Sequence, residues 1–118
     1  MIYEGKPVGT PDPSAFFRVI DQHEAVGSFW SPTALRIIRQ YDPEEKYARK
    51  YPMKHLRSIF VAGEHCDRDT LAWARNIFDH RPVIDHYWQT ETGSPVTSIC
   101  LGLDKNPVRE RSMTELLE

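Results

Sequence analysis

"SIFVAGEHCD", Ser58 to Asp67, passes from one kind of local structure to another within a few residues. Ile59, Phe60 and Val61 are an unbroken run of strand-forming apolar side chains, the pattern expected of a strand covered on both faces. Gly63 ends the run, and Asp67 or Asp69 then offers a carboxylate to cap a helix. Leu71, Ala74, Ile77 and Phe78 recur at the spacing of one helix face. The next apolar run, "RPVID" at Arg81 to Asp85, supplies another strand. Strand, helix and strand in that order predict a crossover connection and a parallel pair.

The residues before this unit repeat the alternation. Met1 to Tyr3 reads as a strand end, followed by the turn chemistry of Gly5, Pro7, Gly9 and Pro11. Asp12 is a good N-cap with Pro13 at the first helical position, where a missing N–H costs nothing. Phe16, Phe17, Val19 and Ile20 give that helix a broad apolar stripe. Ala25 to Trp30 reads as a strand, weakened by Gly27 and Ser28. Ser31 and Pro32 then open a helix with Leu35 and Ile38 inward and Arg36, Arg39 and Gln40 outward. From Tyr41 to Lys54 the chain turns polar, as a surface segment with some helix would. Beyond Asp85, "VTSICLG" at Val96 to Gly102 supplies a further strand. The expected fold class is therefore α/β, a mainly parallel sheet with crossover helices. No internal repeat or low-complexity tract interrupts it.

The 118 residues suit one small domain or a piece of a larger one. Forty per cent hydrophobic residues argues against general disorder. A net charge of −2 offers no electrostatic basis for binding nucleic acid or an anionic membrane. The basic-aromatic "KYARKY" at Lys46 to Tyr51 is read as a solvated face. No run approaches the length of a membrane helix, and Glu4 and Lys6 break up the apolar start, so no signal peptide is expected. Cys66 and Cys100 belong to no C-x-x-C pair and are expected as reduced thiols. His65, Cys66, His80 and His86 invite a metal reading, but their spacing is not that of a zinc site.

In open α/β sheets ligands gather beyond the carboxyl ends of the strands. Two polar segments are expected there, "GEHCD" at Gly63 to Asp67 and "DHYWQTETG" at Asp85 to Gly93. Gly63 permits close backbone approach to a flat ligand. Glu91 is a hard oxygen ligand suited to Mg²⁺, Thr90 and Thr92 can donate to phosphate oxygens, and Trp88 can bound a small apolar pocket.

"DHYWQTETGSP", Asp85 to Pro95, resembles the "WWQTETG" signature of AMP-forming short-chain acyl-CoA synthetases, in the adenylate-forming superfamily. Three further stretches match in order: "EGKPVGTPD" at Glu4 to Asp12, "SPTALR" at Ser31 to Arg36 and "VAGEHCD" at Val61 to Asp67. Together they resemble the propionate-preferring mitochondrial branch and its bacterial relatives. The resemblance implies that 1–102 is part of an AMP-binding (adenylation) domain and that 103–118 is a divergent charged tail.

Such enzymes activate propionate or acetate with ATP to an acyl-adenylate, then form the acyl-CoA. The resemblance implies ATP/AMP, Mg²⁺ and coenzyme A as cofactors and a short-chain carboxylic acid as substrate. It implies catalytic roles for Thr90 and Glu91, with Glu91 holding the metal and Thr90 touching a phosphate. Gly63, Glu64, His65, Asp85, His86, Tyr87, Gln89 and Thr90 would line the nucleotide site, and Trp88 the acyl pocket. His65 stands where relatives carry Pro or Arg, and Tyr87 where a second Trp is common. The "DHYWQTETG" strand is thus expected to end in a nucleotide-binding wall and not in a turn. The phosphate loop and the lysine-bearing C-terminal domain are expected to lie outside this chain, so the chain alone is expected to be inactive. The alternative is a non-catalytic truncated isoform that binds nucleotide weakly or associates with a full-length synthetase. On either reading, apolar surface that missing partners would cover predicts poor solubility as a monomer. Location follows the branch: mitochondrial matrix in a eukaryote, cytoplasmic in a bacterium.

Overall fold

The computed structural model describes residues 1–9, 11–99 and 101–102. Three parallel strands form its sheet: β1 (Gly27–Trp30), β2 (Ser58–Val61) and β3 (Val83–Asp85), in the order β1-β2-β3. Trp30 faces Val61, and Val61 faces Asp85, so the three carboxyl ends lie side by side. Helices α1 (Ala15–Gln22), α2 (Pro32–Tyr41) and α3 (Arg68–Ile77) alternate with them. A short antiparallel pair, β4 (Tyr87–Trp88) and β5 (Pro95–Thr97), follows as a separate sheet. Cys100 and the tail at 103–118 lie outside the described residues.

The local signals act as expected in α2 and α3. Ser31 Oγ accepts from Ala34 N at 3.2 Å, with Pro32 at the first helical position. Asp67, not Asp69, caps α3, accepting from Thr70 N at 2.9 Å. At α1 the cap is displaced: Asp12 Oδ1 accepts from Ser14 N at 2.8 Å, closing a turn, and the regular helix begins at Ala15. Met1 to Tyr3 is not a strand; Tyr3 packs edge-on against Phe16 at 5.6 Å.

One core lies between the helices and one face of the sheet. It contains Phe17 and Ile20 of α1, Leu35 and Ile38 of α2, Leu71, Ala74 and Ile77 of α3, and Trp30, Ile59, Val61 and Val83 from the strands. The opposite face carries Phe29 and Phe60, paired across β1 and β2. Phe60 is only half-buried and Phe29 is 58% exposed, so β2 is not covered equally on both faces. An unbroken apolar run records strand propensity on both sides but not which side a helix occupies.

The polar segment after α2 is less superficial than its composition suggests. Asp42 is buried, and its Oδ2 accepts from Tyr47 N at 2.9 Å and Ala48 N at 2.8 Å. This folds the chain into a 3₁₀ turn, Ala48–Lys50, and leaves Ala48, Met53 and Leu56 in the core. The basic run is engaged within the chain: Arg49 pairs with Glu45 at 2.6 Å, and the Lys50 ammonium lies 5.7 Å from the Tyr51 ring.

Candidate functional site

Two consecutive strand ends build the site. His86 N donates to Val61 O at 3.0 Å, holding the residue after β3 against the end of β2. The loop after β2 turns at Gly63, whose φ of +100° suits a residue without Cβ. Gly63, Glu64 and His65 then face Asp85, His86, Tyr87 and Trp88 across a cleft of about 230 Å³. A larger cavity of about 360 Å³ lies at the outer edge of β1, lined mainly by apolar residues from Met1 to Trp30. The smaller cleft is the better candidate, because charged and ring-nitrogen groups converge on it.

The structure thus brings together seven of the residues expected at the site. Gln89, Thr90 and Glu91 do not line this cleft; they continue from it as exposed residues. This segment was expected not to form a turn, and on that point the expectation is corrected. Residues Gln89 to Ser94 form the loop between β4 and β5. Thr92 Oγ1 donates to Gln89 O at 2.8 Å, Gly93 N donates to Thr90 O at 3.2 Å, and Gly93 has φ +67°. Gln89 Nε2 donates to the Tyr87 hydroxyl. A hydroxyl-rich segment forms a turn because its side chains bond to neighbouring backbone.

Burial sets the electrostatics. Asp85 is pushed above the usual carboxylate range by burial, opposed by nearby His65 and by the Cys66 N–H. Cys66 is buried, and desolvation, reinforced by Asp85 and Asp67, pushes its thiol up to about 12. Its thiolate is therefore scarce at neutral pH, and we expect peptide-resolved alkylation at Cys66 to run at least about 100-fold slower than in urea. Equal rates in both conditions would contradict the burial.

His86 is 6% exposed, its Nδ1 has no hydrogen-bond partner among the described residues, and its ring lies 5.4 Å from Phe29 and 5.7 Å from Phe60. Burial lowers its pKa below 6.5. The unfolded chain therefore takes up a proton first on acidification. The stability that His86 contributes is complete above pH 6.5 and is lost as pH falls toward the folded value. Neighbouring Asp85 has the opposite sign, its contribution being lost as pH rises above 3.8. The unfolding free energy obtained from urea titration should fall as pH drops below 6.5, by at most about 1.4 kcal/mol per pH unit for one proton. His86→Phe should remove that dependence; an identical pH profile in the variant would sink the assignment.

One set of residues escaped the sequence reading. Arg36, expected simply to face outward, donates to Glu64 Oε2 at 2.9 Å, His65 O at 2.8 Å and Asp67 Oδ2 at 2.8 Å. Thr33 N donates to Glu64 Oε1 at 2.8 Å, and its hydroxyl does so too. Hydrogen bonds from Thr33 and then Arg36 hold Glu64 below the usual carboxylate range. Arg36, followed by Thr70, does the same for Asp67. The "SPTALR" and "GEHCD" stretches were each visible, but nothing local joins them. Among the described residues, no group of three or more His, Cys, Asp or Glu side chains is placed to hold a metal ion. Nor is any described helix long and apolar enough to cross a membrane.

Comparison with known proteins agrees with this architecture. The family described as AMP-binding enzyme matches residues 1–115. The chain is 52% identical over 103 residues to acyl-CoA synthetase short-chain family member 3, mitochondrial, of Homo sapiens, covering 87% of this chain and 15% of that protein. It is 37% identical over 109 residues to the propionate–CoA ligase of Escherichia coli, covering 92% of this chain and 17% of that one. The crystal structure of a Brucella canis acyl-CoA synthetase superposes with a TM-score of 0.72 at 29% identity, over 87% of this chain and 18% of that chain. The chain therefore spans less than a fifth of the length of these relatives. With a parallel sheet, a cleft at its carboxyl ends and a family match along nearly its whole length, the chain belongs to the AMP-binding enzyme family and is related to the short-chain acyl-CoA synthetases.

Proposed function

We propose that this chain supplies part of the nucleotide and acyl site of a short-chain acyl-CoA ligase that activates propionate or acetate with ATP and transfers the acyl group to coenzyme A. The observation that carries the reading is the cleft in which Gly63, Glu64 and His65 face Asp85, His86, Tyr87 and Trp88. A flat base fits between a loop turned by glycine and aromatic side chains. Trp88, 39% exposed, is assigned to the floor of the acyl pocket. Thr90 is assigned to a phosphate oxygen and Gln89 to the nucleotide wall. Glu91 is exposed, and its carboxylate, a hard oxygen donor, would hold a Mg²⁺ ion that phosphate groups share. The metal would neutralise charge on the phosphates, and coenzyme A would enter as the acyl acceptor. We assign 1–102 to the adenylation domain and 103–118 to a tail. The relatives named mitochondrial support a mitochondrial location in a eukaryote, and we assign the chain to the matrix there.

The test is titration of isotope-labelled chain with AMP and with Mg²⁺–ATP, followed residue by residue. Shifts confined to Gly63–His65 and Asp85–Gln89 with AMP, extending to Thr90 and Glu91 with Mg²⁺–ATP, are expected at millimolar nucleotide. Shifts elsewhere, or none, would overturn the assignment.

A second reading is a non-catalytic chain that associates with a full-length synthetase. It is favoured by exposed Phe29 on the face of the sheet opposite the helices. Co-sedimentation with a purified relative tests it, and Phe29→Ser should abolish the association.

A further inference from the structure

We propose that Arg36 is a positioning residue for the nucleotide cleft, clamping the Gly63–Asp67 loop to the start of α2. The proposal rests on the nucleotide reading above. Arg36 does not line the cleft and acts only through the loop.

The loop needs such a clamp. Gly63 to Cys66 belong to no strand or helix, and Gly63 itself imposes little conformational preference. Its inner face is one wall of the cleft, so its position sets the width available to a flat ligand. One guanidinium grips it at three points: the Glu64 carboxylate, the His65 carbonyl and the Asp67 carboxylate. Thr33 takes the remaining Glu64 oxygen, so both oxygens are held by α2. Asp67 in turn caps α3 through Thr70. The clamp is referred to the sheet, because Ser31 caps α2 directly after Trp30, whose carbonyl accepts from Ala62 N at 3.2 Å. Loop and helix are thus fixed to the same strand end.

A planar fork of donors suits three acceptors in different directions; a lysine ammonium on a flexible stem does not. Half-exposed ion pairs contribute little to global stability. The effect of removing Arg36 should therefore fall on the loop and on ligand affinity, and little on the fold.

Arg36→Ala, Arg36→Lys and Thr33→Val should be compared with the wild-type chain. Three readouts suffice: backbone order parameters of Glu64–Asp67, thermal midpoint, and the dissociation constant for AMP. In Arg36→Ala the order parameters should drop from about 0.85 toward 0.6. The AMP dissociation constant should rise about tenfold or more, because a misplaced wall loses its contacts. The midpoint should move only slightly, and Arg36→Lys should recover part of the affinity. Unchanged loop order in Arg36→Ala would overturn the clamp, whatever happens to AMP. A loosened loop with unchanged AMP affinity would overturn the positioning role. If wild-type chain binds no AMP while the loop still loosens in Arg36→Ala, the nucleotide reading fails and the positioning role falls with it.

Discussion

Phe17→Ala is expected to remove about 3–5 kcal/mol from the free energy of unfolding. Phe17 is fully buried, with its ring 5.7 Å from Trp30 and 5.9 Å from Phe78. Trp30 and Phe78 themselves meet edge-on at 5.7 Å. The three rings join α1, the end of β1 and the residue that closes α3. Truncation leaves a cavity bounded by large, rigid side chains that cannot collapse into it. Small domains have only about 5–15 kcal/mol in total, so the loss is a large fraction of the stability. Urea denaturation followed by tryptophan fluorescence measures it. Phe29→Ala is the control: the same residue type at 58% exposure should change stability by less than about 1 kcal/mol. Equal losses at the two positions would mean that the core has been placed on the wrong face of the sheet.

The second large effect is polar. Asp42 is 2% exposed, and one of its carboxylate oxygens accepts both the Tyr47 and Ala48 N–H groups. Asp42→Ala leaves two donors unsatisfied, at a cost of about 2–3 kcal/mol. Asp42→Asn keeps a carbonyl oxygen of similar shape and should lose about 1 kcal/mol, with the charge assistance gone. Hydrogen exchange at Tyr47 and Ala48 should accelerate strongly in the alanine variant and weakly in the asparagine one. If both variants matched wild type, the turn would be held by Met53 and Leu56 packing and not by Asp42.

These two positions differ in how far they were legible. Phe17 stood on a broad apolar stripe with Phe16, Val19 and Ile20, and helical period marked that stripe as inward. Asp42 sat in a polar segment read as surface, because composition cannot reveal that one carboxylate will collect two backbone donors. The candidate cleft falls between these cases. That the segments after β2 and β3 meet followed from the parallel order. That 89–94 becomes a hairpin loop did not, because its polar residues can face a ligand or bond to their own backbone with equal ease.

The sequence by itself determined the alternation of strands and helices, the Ser31 cap, and the family, and narrowed the cap of α3 to Asp67 or Asp69. Those signals are local: a cap acts within one turn, and apolar period reports on a single element. Tertiary structure alone decided three things. It left Phe29 and Phe60 on a face the helices do not cover, and turned β5 back against β4 as a separate pair. It also placed the guanidinium of Arg36 on Glu64 and Asp67. Each depends on which surfaces meet after the chain has crossed over, and contacts between residues far apart in sequence leave no period or spacing in either segment.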